Sequence, residues 1–487
     1  MTSTTSQAGA VQHDGGASGR PHDSARMTRS QLLVLILLLT SQFTLCVDFS
    51  ILNVALPAVG QGLGFTDANV QWIATSFALC AAGFTLLFGR IGDYVGRRRT
   101  FLIGMIALGL ASVLGGLATS PEMLLTARVA QGLATAAVTP AALSLLTVAF
   151  PEGPLRRTAL GLNSVVMSTG FTAGAILGGV LTDLLSWRWA FLVNVPVALL
   201  VVAVAPAVLQ DSAERERSRL DLPGAATVTS GLLALVYAAT RLGEHGTGDP
   251  WGWGSLVLAA VLLTGFVRLE QGHPHPLVPL PILRRRTIFW GNVAGFVTFA
   301  MEPGLVFLST MYFQHVLGLN PLQTGLMLGT MGVGAIVGGT LGPRFIGAVG
   351  VRRTATGGLL VQAATTLSLV LLGTAPGPSL WWYAVVVFVG AIGHVAAIVA
   401  FMVAATSDLP DREQGLATGI ATMTQQVAIA VGVPVVSAVA TAAGGLDSLP
   451  ALRTAIVVDA LIVLVGAFLV TRGLGRDRPS GRSGADA

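Results

Sequence analysis

Apolar residues in this chain do not alternate with polar ones at a helical or strand period. They run in unbroken blocks, and a block of about 20 such residues is what a helix needs to cross a hydrocarbon layer of ~30 Å. Blocks of that kind occupy 31–57, 70–91, 101–118, 123–149, 160–184 and 189–208. A charged stretch at 210–221 precedes 225–240 and a short block at 253–267. After a second linker, 268–286, come 288–312, 324–345, 355–373, 380–406, 414–442 and 452–470. The pattern predicts an all-α polytopic membrane protein of 14 transmembrane helices, arranged as six, an inserted pair, then six. Two six-helix bundles facing each other around a central cavity is the architecture this implies, with one half rocking against the other.

The domain boundaries follow. Residues 1–28 are rich in Ser, Thr, Gly and Asp and are expected to form a disordered cytoplasmic tail. The N-terminal bundle covers 29–210, the linker with the inserted pair 211–287, the C-terminal bundle 288–472, and a second disordered cytoplasmic tail 473–487. The apolar run behind Arg26 and Arg29 has the look of a signal peptide. It continues without a cleavage site to Pro57, so an uncleaved first helix is expected.

Charge fixes the expected orientation. Lysine is absent, so all 28 basic residues are arginines. With the amino terminus inside, Arg97 to Arg99, Arg156, Arg157, Arg284 to Arg286, Arg352 and Arg353 all fall on cytoplasmic loops. Only Arg188, Arg241 and Arg453 fall outside, and Arg128 lies within a helix. That asymmetry is the positive-inside rule, and it places both termini in the cytoplasm of a multi-pass protein of the cytoplasmic (inner) membrane. Dropping the inserted pair, the weakest of the predicted spans, would leave the parity unchanged.

Composition narrows the chemistry. Hydrophobic residues make up 53% of the 487 and charged residues 10%, against about 25% charged in soluble domains. The net charge of +5 follows membrane topology and is no nucleic-acid signal. Without lysine there is no phosphate-binding Walker loop and no Schiff-base amine. Cys46 and Cys80 sit in apolar runs, as packing residues. No enzyme activity, metal or cofactor is expected; energy for uphill movement must come from an ion gradient or a partner.

Ionisable residues inside a membrane cost roughly 2.5–3.5 kcal/mol each on insertion scales, so each asks for a reason. Asp48 lies deep in the first block, in helical register with Ser41 and Thr44, a stripe expected to line water. A carboxylate there can bind and release a proton as water or a cation comes and goes. Arg128 and Gln131 share a face of the fourth helix, and Glu302 sits mid-span in the ninth, on a face with Thr298 and Ser309. His394 and Asp459 are further polar residues in apolar surroundings, more readily read as packing than as functional groups.

Two glycine patterns stand out. Gly89-Arg-Ile-Gly-Asp93-Tyr-Val-Gly96-Arg97-Arg-Arg99 lies between the second and third helices, with a degenerate echo from Gly342 to Arg353. Its glycines permit a tight turn, and Asp93 is placed to face the start of the thirteenth helix near Gln414. In the fifth helix Gly170, Gly174 and Gly178 recur every four residues, with Gly161 before them and Gly179 after. Such a stripe lets another backbone approach; by spacing alone it is a packing seam.

The first pattern resembles the loop signature of the major facilitator superfamily, and the second resembles the antiporter motif of its drug:proton exchangers. Asp48-Phe-Ser-Ile-Leu-Asn53-Val-Ala-Leu-Pro57, Arg128-Val-Ala-Gln131-Gly132 and the segment from Trp187 to Pro196 resemble the fourteen-helix, EmrB/QacA-like branch. Ala175 stands where the antiporter motif usually has proline, and Phe77 where tyrosine is common. The resemblance implies proton-coupled antiport by alternating access, exporting hydrophobic, cationic drug-like or antibiotic molecules and conferring drug resistance. It implies that Arg128 sits near Asp48 and helps drive its proton off; Glu302, from its place in the span, is expected to join in proton coupling or to neutralise a cationic substrate. Asp48, Asn53, Gln131 and Glu302 would line the substrate cavity. The expected partners are a small-molecule substrate, protons and the lipid bilayer around a monomer, with no nucleic acid. A solute:proton symporter or a non-transporting membrane sensor or scaffold stays open on the residues alone.

Overall fold

The computed structural model describes residues 27–66, 69–150, 154–209, 222–246, 248–272, 283–406 and 411–474. The expected tails therefore lie largely outside the described residues, as do the linkers at 210–221 and 273–282. Every regular element among the described residues is helical. We number them α1 (Arg29–Leu63), α2 (Trp72–Val95), α3 (Arg97–Gly116), α4 (Pro121–Ala149), α5 (Pro154–Leu184) and α6 (Trp189–Val208, interrupted at Val193). The inserted pair is α7 (Leu222–His245) and α8 (Pro250–Gly272). Then follow α9 (Arg286–Met311), α10 (Pro321–Val349), α11 (Val351–Ser368), α12 (Pro376–Thr406), α13 (Asp411–Ala442) and α14 (Leu449–Gly473). Thirteen of these are long and apolar enough to cross a membrane; α2 carries a shorter apolar stretch, Trp72–Thr85.

Local chemistry explains the ends. Thr28 caps α1 reciprocally: its hydroxyl accepts from the Gln31 amide at 3.2 Å, and its own N–H donates to Gln31 Oε1 at 3.1 Å. Asn320 and Gln323 build the same box at α10, with Pro321 at the first helical position. α1 does not stop at Pro57 as expected. It runs through that proline and ends at Gly64, in the left-handed region at φ 75°.

The two halves repeat one set of contacts. α1 packs on α5, α2 on α4, and α3 on α4 and α6; correspondingly α9 packs on α13, α10 on α12, and α11 on α12 and α14. The degenerate loop echo is part of this repeat. Gly96 and Gly350 each join two helices at positive φ, 115° and 86°, where a side chain would be strained. Two residues beyond each glycine, an arginine reaches the end of the last helix of its half: Arg98 donates to the Pro206 carbonyl at 2.7 Å and Arg352 to that of Thr471 at 3.0 Å. At the opposite end Arg188 donates to Ala118 O at 3.0 Å and Arg453 to Leu372 O at 2.6 Å. Each satisfies a carbonyl just past α3 or α11, where a cation is also favoured by the helix dipole. The third arginine expected outside, Arg241, pairs with Asp249 at 2.9 Å.

Packing between the halves is uneven. A large apolar cluster joins both, drawing on Ile51, Leu56, Phe307, Tyr312, Tyr383 and Val436, all from the end remote from the termini. Two smaller ones bridge them at the inserted pair: Ala78, Ala82, Val236 and Ala430, and, nearer the terminal end, Leu87 with Val228, Ala417 and Ile420. Toward the terminal end each half has its own cluster, around Phe101 and Leu145 in one and around Leu359 and Phe401 in the other. α5 meets α10 closely near the remote end: a Cβ on Gly325 would stand 2.6 Å from the Ala175 carbonyl oxygen, and one on Gly179 2.5 Å from that of Pro321. α7 lies against α2 and α13, one helix from each half, with the Thr229 hydroxyl donating to Gly83 O at 2.6 Å.

Candidate functional site

The interior of the first half holds a closed set of polar side chains from four helices. Asp48 (α1), Arg128 and Gln131 (α4), Ser112 (α3) and Asn194 (α6) are each at most 1% exposed. Arg128 Nη1 lies 3.3 Å from Asp48 Oδ2 and donates to Gln131 Oε1 at 2.8 Å. Gln131 Nε2 donates to Asp48 Oδ1 at 2.9 Å and to Ser112 Oγ at 3.0 Å. Asn194 Nδ2 donates to the same Asp48 oxygen and lies 3.3 Å from Ser112 Oγ. Every contact to the carboxylate is thus from a donor, which suits its charged form. Burial without such donors would be prohibitive in an apolar interior.

α1 is fixed from both sides. Its far face carries Val47, Ser50 and Ile51, which meet the Gly170, Gly174 and Gly178 stripe of α5. A Cβ on Gly174 would come within 2.8 Å of the Val47 carbonyl oxygen, and the Ser50 hydroxyl donates to Phe171 O at 2.6 Å. Gly179 belongs to the neighbouring face, toward α10. Gly132 plays the equivalent part on α4: a Cβ there would come within 2.8 Å of Cys80 Cβ on α2. That approach lets Arg128 Nε donate to the Ile73 carbonyl at 3.0 Å, with the guanidinium 4.2 Å from the centre of the Phe77 ring. Phe77, which lacks the hydroxyl of a tyrosine, offers the arginine its π face instead.

The second half brings together another acid and base, again on its first and fourth helices. Glu302 Oε2 (α9) stands 2.9 Å from His394 Nε2 (α12), without the alignment of a hydrogen bond. His394 Nδ1 is 3.4 Å from Gln362 Oε1 on α11. These three residues, with Met331 and Thr366, line a small cavity. Asp459 on α14 is also buried, its two carboxyl oxygens without a hydrogen-bond partner among the described residues.

Some expectations need correction. The Ser41, Thr44 and Asp48 stripe lines no open channel: all three are buried, and the Ser41 and Thr44 hydroxyls return to their own helix, to Leu38 O at 2.7 Å and Thr40 O at 2.9 Å. Gln131 and Asp48 lie inside the buried cluster in this conformation. Asn53 does border a small space, between α1, α2 and α13, with Phe49 and Pro434. His394, read from sequence as packing, is the partner of Glu302. Ser112 carries no signal in the sequence that marks it as a member of the site, and Asn194 is marked there only as part of the segment from Trp187 to Pro196. In the loop motif, Gly89 lies near Pro140 and Gly96 forms the turn into Arg97, while the side chains of Asp93 and Gln414 lie outside those described.

Described residues that are all helical, with a two-fold internal repeat and charged side chains sealed within apolar helices, have the build of a membrane transporter. Residues 38–433 match the model of the Major Facilitator Superfamily, and the chain belongs to that family. It is 35% identical over 414 residues to the puromycin resistance protein pur8 of Streptomyces alboniger, covering 84% of this chain and 82% of that one. It is 40% identical to the cephamycin export protein CmcT of Amycolatopsis lactamdurans over 314 residues, a match spanning 64% of each. In fold it is similar to the human organic anion transporter MFSD10 (TETRAN), with a TM-score of 0.60 at 18% identity over 91% of this chain and 100% of that one.

Proposed function

We propose that this transporter exports antibiotic-like small molecules from the cell in exchange for protons. The single observation that supports the reading best is the buried Asp48–Arg128 pair, an acid and a base sealed in the first half with only donors around the carboxylate. Protonation of Asp48 would release Arg128 from its charge contact, and deprotonation would restore it, so proton binding is tied to the packing of α1 against α4. Drug and proton would compete because a cationic drug is favoured by the charged acid and disfavoured by the neutral one. Relatives named for puromycin resistance and cephamycin export support the direction and the substrate class.

In this reading the chain has fourteen spans, two six-helix bundles (29–210 and 288–472) and an inserted pair, with both termini in the cytoplasm and a monomer as the working unit. The large apolar cluster shared by both halves closes the outer end. At the terminal end each half has its own cluster and a smaller one at α7 bridges them, whose contacts would have to yield for the halves to part. Glu302 with His394 forms a second proton site facing its own small cavity. Asn53, on the seam between the halves, belongs to the drug path.

Everted membrane vesicles holding an acid interior test the exchange. Adding puromycin or a cephamycin should make protons leave the vesicles, read by an internal pH dye. Further acidification of the interior would indicate symport, and no response to either drug would remove the proposed substrate class.

A further inference from the structure

The cluster around Asp48 contains one group that its charged form does not use. Asn194 Oδ1 is buried and has no donor among the described residues, although the other end of the same amide donates to Asp48 Oδ1. Its orientation follows from the network, since turning it over would set two oxygens against each other. Protonation of Asp48 reverses that logic. The neutral carboxyl gains an O–H that must be accepted by something, and the other groups in contact with the carboxyl are donors: Arg128 Nη1 from α4, its one charged neighbour among the described residues, and Gln131 Nε2.

Gln131 cannot turn over to accept the proton without losing its bond to Arg128, which its Oε1 accepts at 2.8 Å, and setting its NH2 against the guanidinium. Asn194 can turn, because its oxygen has no bond to give up. The Ser112 hydroxyl, 3.3 Å from Asn194 Nδ2, suits either orientation, as it can accept from the amide nitrogen or donate to the amide oxygen.

We propose that Asn194 is a positioning residue that satisfies both states of Asp48 by rotating its amide: nitrogen to the carboxylate, oxygen to the protonated carboxyl. The proton comes from the aqueous phase, forms an O–H bond at Asp48 and leaves by the same bond breaking; Asn194 itself is never protonated. The inference rests on Asp48 being the proton carrier, and its test separates the two.

Infrared difference spectra of the full-length protein in lipid, recorded between high and low pH, read the protonated carboxyl directly. Asp48→Asn should remove one carboxyl C=O band. Asn194→Leu should keep that band but move it to higher wavenumber, and Asn194→Ser, whose hydroxyl both donates and accepts, should bring it back toward the original position. Proton-driven drug exchange should fall about tenfold in Asn194→Leu, the scale of one hydrogen bond, with drug-for-drug counterflow unchanged. A band that Asp48→Asn leaves in place overturns the carrier assignment and this inference with it. A band lost in Asp48→Asn but unmoved in Asn194→Leu overturns the inference alone.

Discussion

Arg128 holds Asp48 by a single nitrogen, Nη1 at 3.3 Å from Oδ2, while its Nε is bonded to the Ile73 backbone. A two-point guanidinium–carboxylate fork would be stronger and harder to break. This geometry ties α4 to α2 through a backbone carbonyl and to α1 through one charge contact, an arrangement that suits the proposed change of charge on Asp48.

Removing the arginine alone leaves a buried carboxylate without its cation. Arg128→Leu should destabilise the protein by about 3–5 kcal/mol. Combining it with Asp48→Asn should recover much of that loss, because the uncompensated charge is gone, without restoring proton-driven exchange. Thermal unfolding in detergent measures the first effect and transport the second. Equal instability of the single and double variants would mean that Arg128 matters for packing alone.

The glycine stripe of α5 makes a steric prediction. Gly174→Leu should drive α1 from α5, since even a Cβ would meet the Val47 carbonyl at 2.8 Å, costing about 1–3 kcal/mol or more. Gly357→Ala on α11, with nothing within 4 Å of its Cβ position, should be neutral or slightly stabilising. The pair of melting temperatures checks the assignment of α5 as a close-packing face.

Glu302 and His394 offer a second titratable pair, separate from Asp48. Glu302→Gln should lower the ratio of protons to drug molecules exchanged without abolishing exchange, and His394→Gln should act in the same direction. Simultaneous measurement of proton and drug fluxes decides this. An unchanged ratio in both variants would assign the pair to structure.

An acid–base pair closes the turn between α7 and α8, with Arg241 near the end of α7 and Asp249 in the loop outside the spans. Hydrogen bonding from Arg241 holds the Asp249 carboxyl below its ordinary range, and Asp249 also accepts from the Trp251 and Gly252 amides at 3.3 and 3.2 Å. A depressed folded-state value means that the stabilisation is complete above the usual carboxylate range and is lost as pH falls through the lower folded one. Amide exchange at the start of α8 should therefore stay slow from neutral pH down to mildly acid conditions and rise only in stronger acid. In Asp249→Asn it should be faster at neutral pH, with no further acid step from this residue.

Much of this site is legible in the sequence because a charge inside an apolar helix is conspicuous. Asp48, Arg128 and Glu302 stand out on that ground, Gln131 by sharing a face with Arg128, and the helical spacing of Gly170, Gly174 and Gly178 announces a close contact. Asn194 and Ser112 carry no charge and sit among apolar neighbours, so only the meeting of α3, α4 and α6 reveals their place in the site. His394 needs Glu302 from a distant helix to gain a meaning. Ser41 and Thr44 mislead for a different reason: a hydroxyl inside a helix can bond to its own backbone, so polar periodicity does not by itself mark a wet face. Helix ends are underestimated where polar caps such as Thr28 extend the helix beyond its apolar block.

The most direct test of the account is proton-driven exchange by the purified protein in liposomes, comparing wild type with Asp48→Asn. With an imposed proton gradient and labelled puromycin, the account predicts drug movement against the direction of the protons, lost in Asp48→Asn. Full gradient-driven exchange in Asp48→Asn, or drug moving together with the protons in wild type, would contradict it.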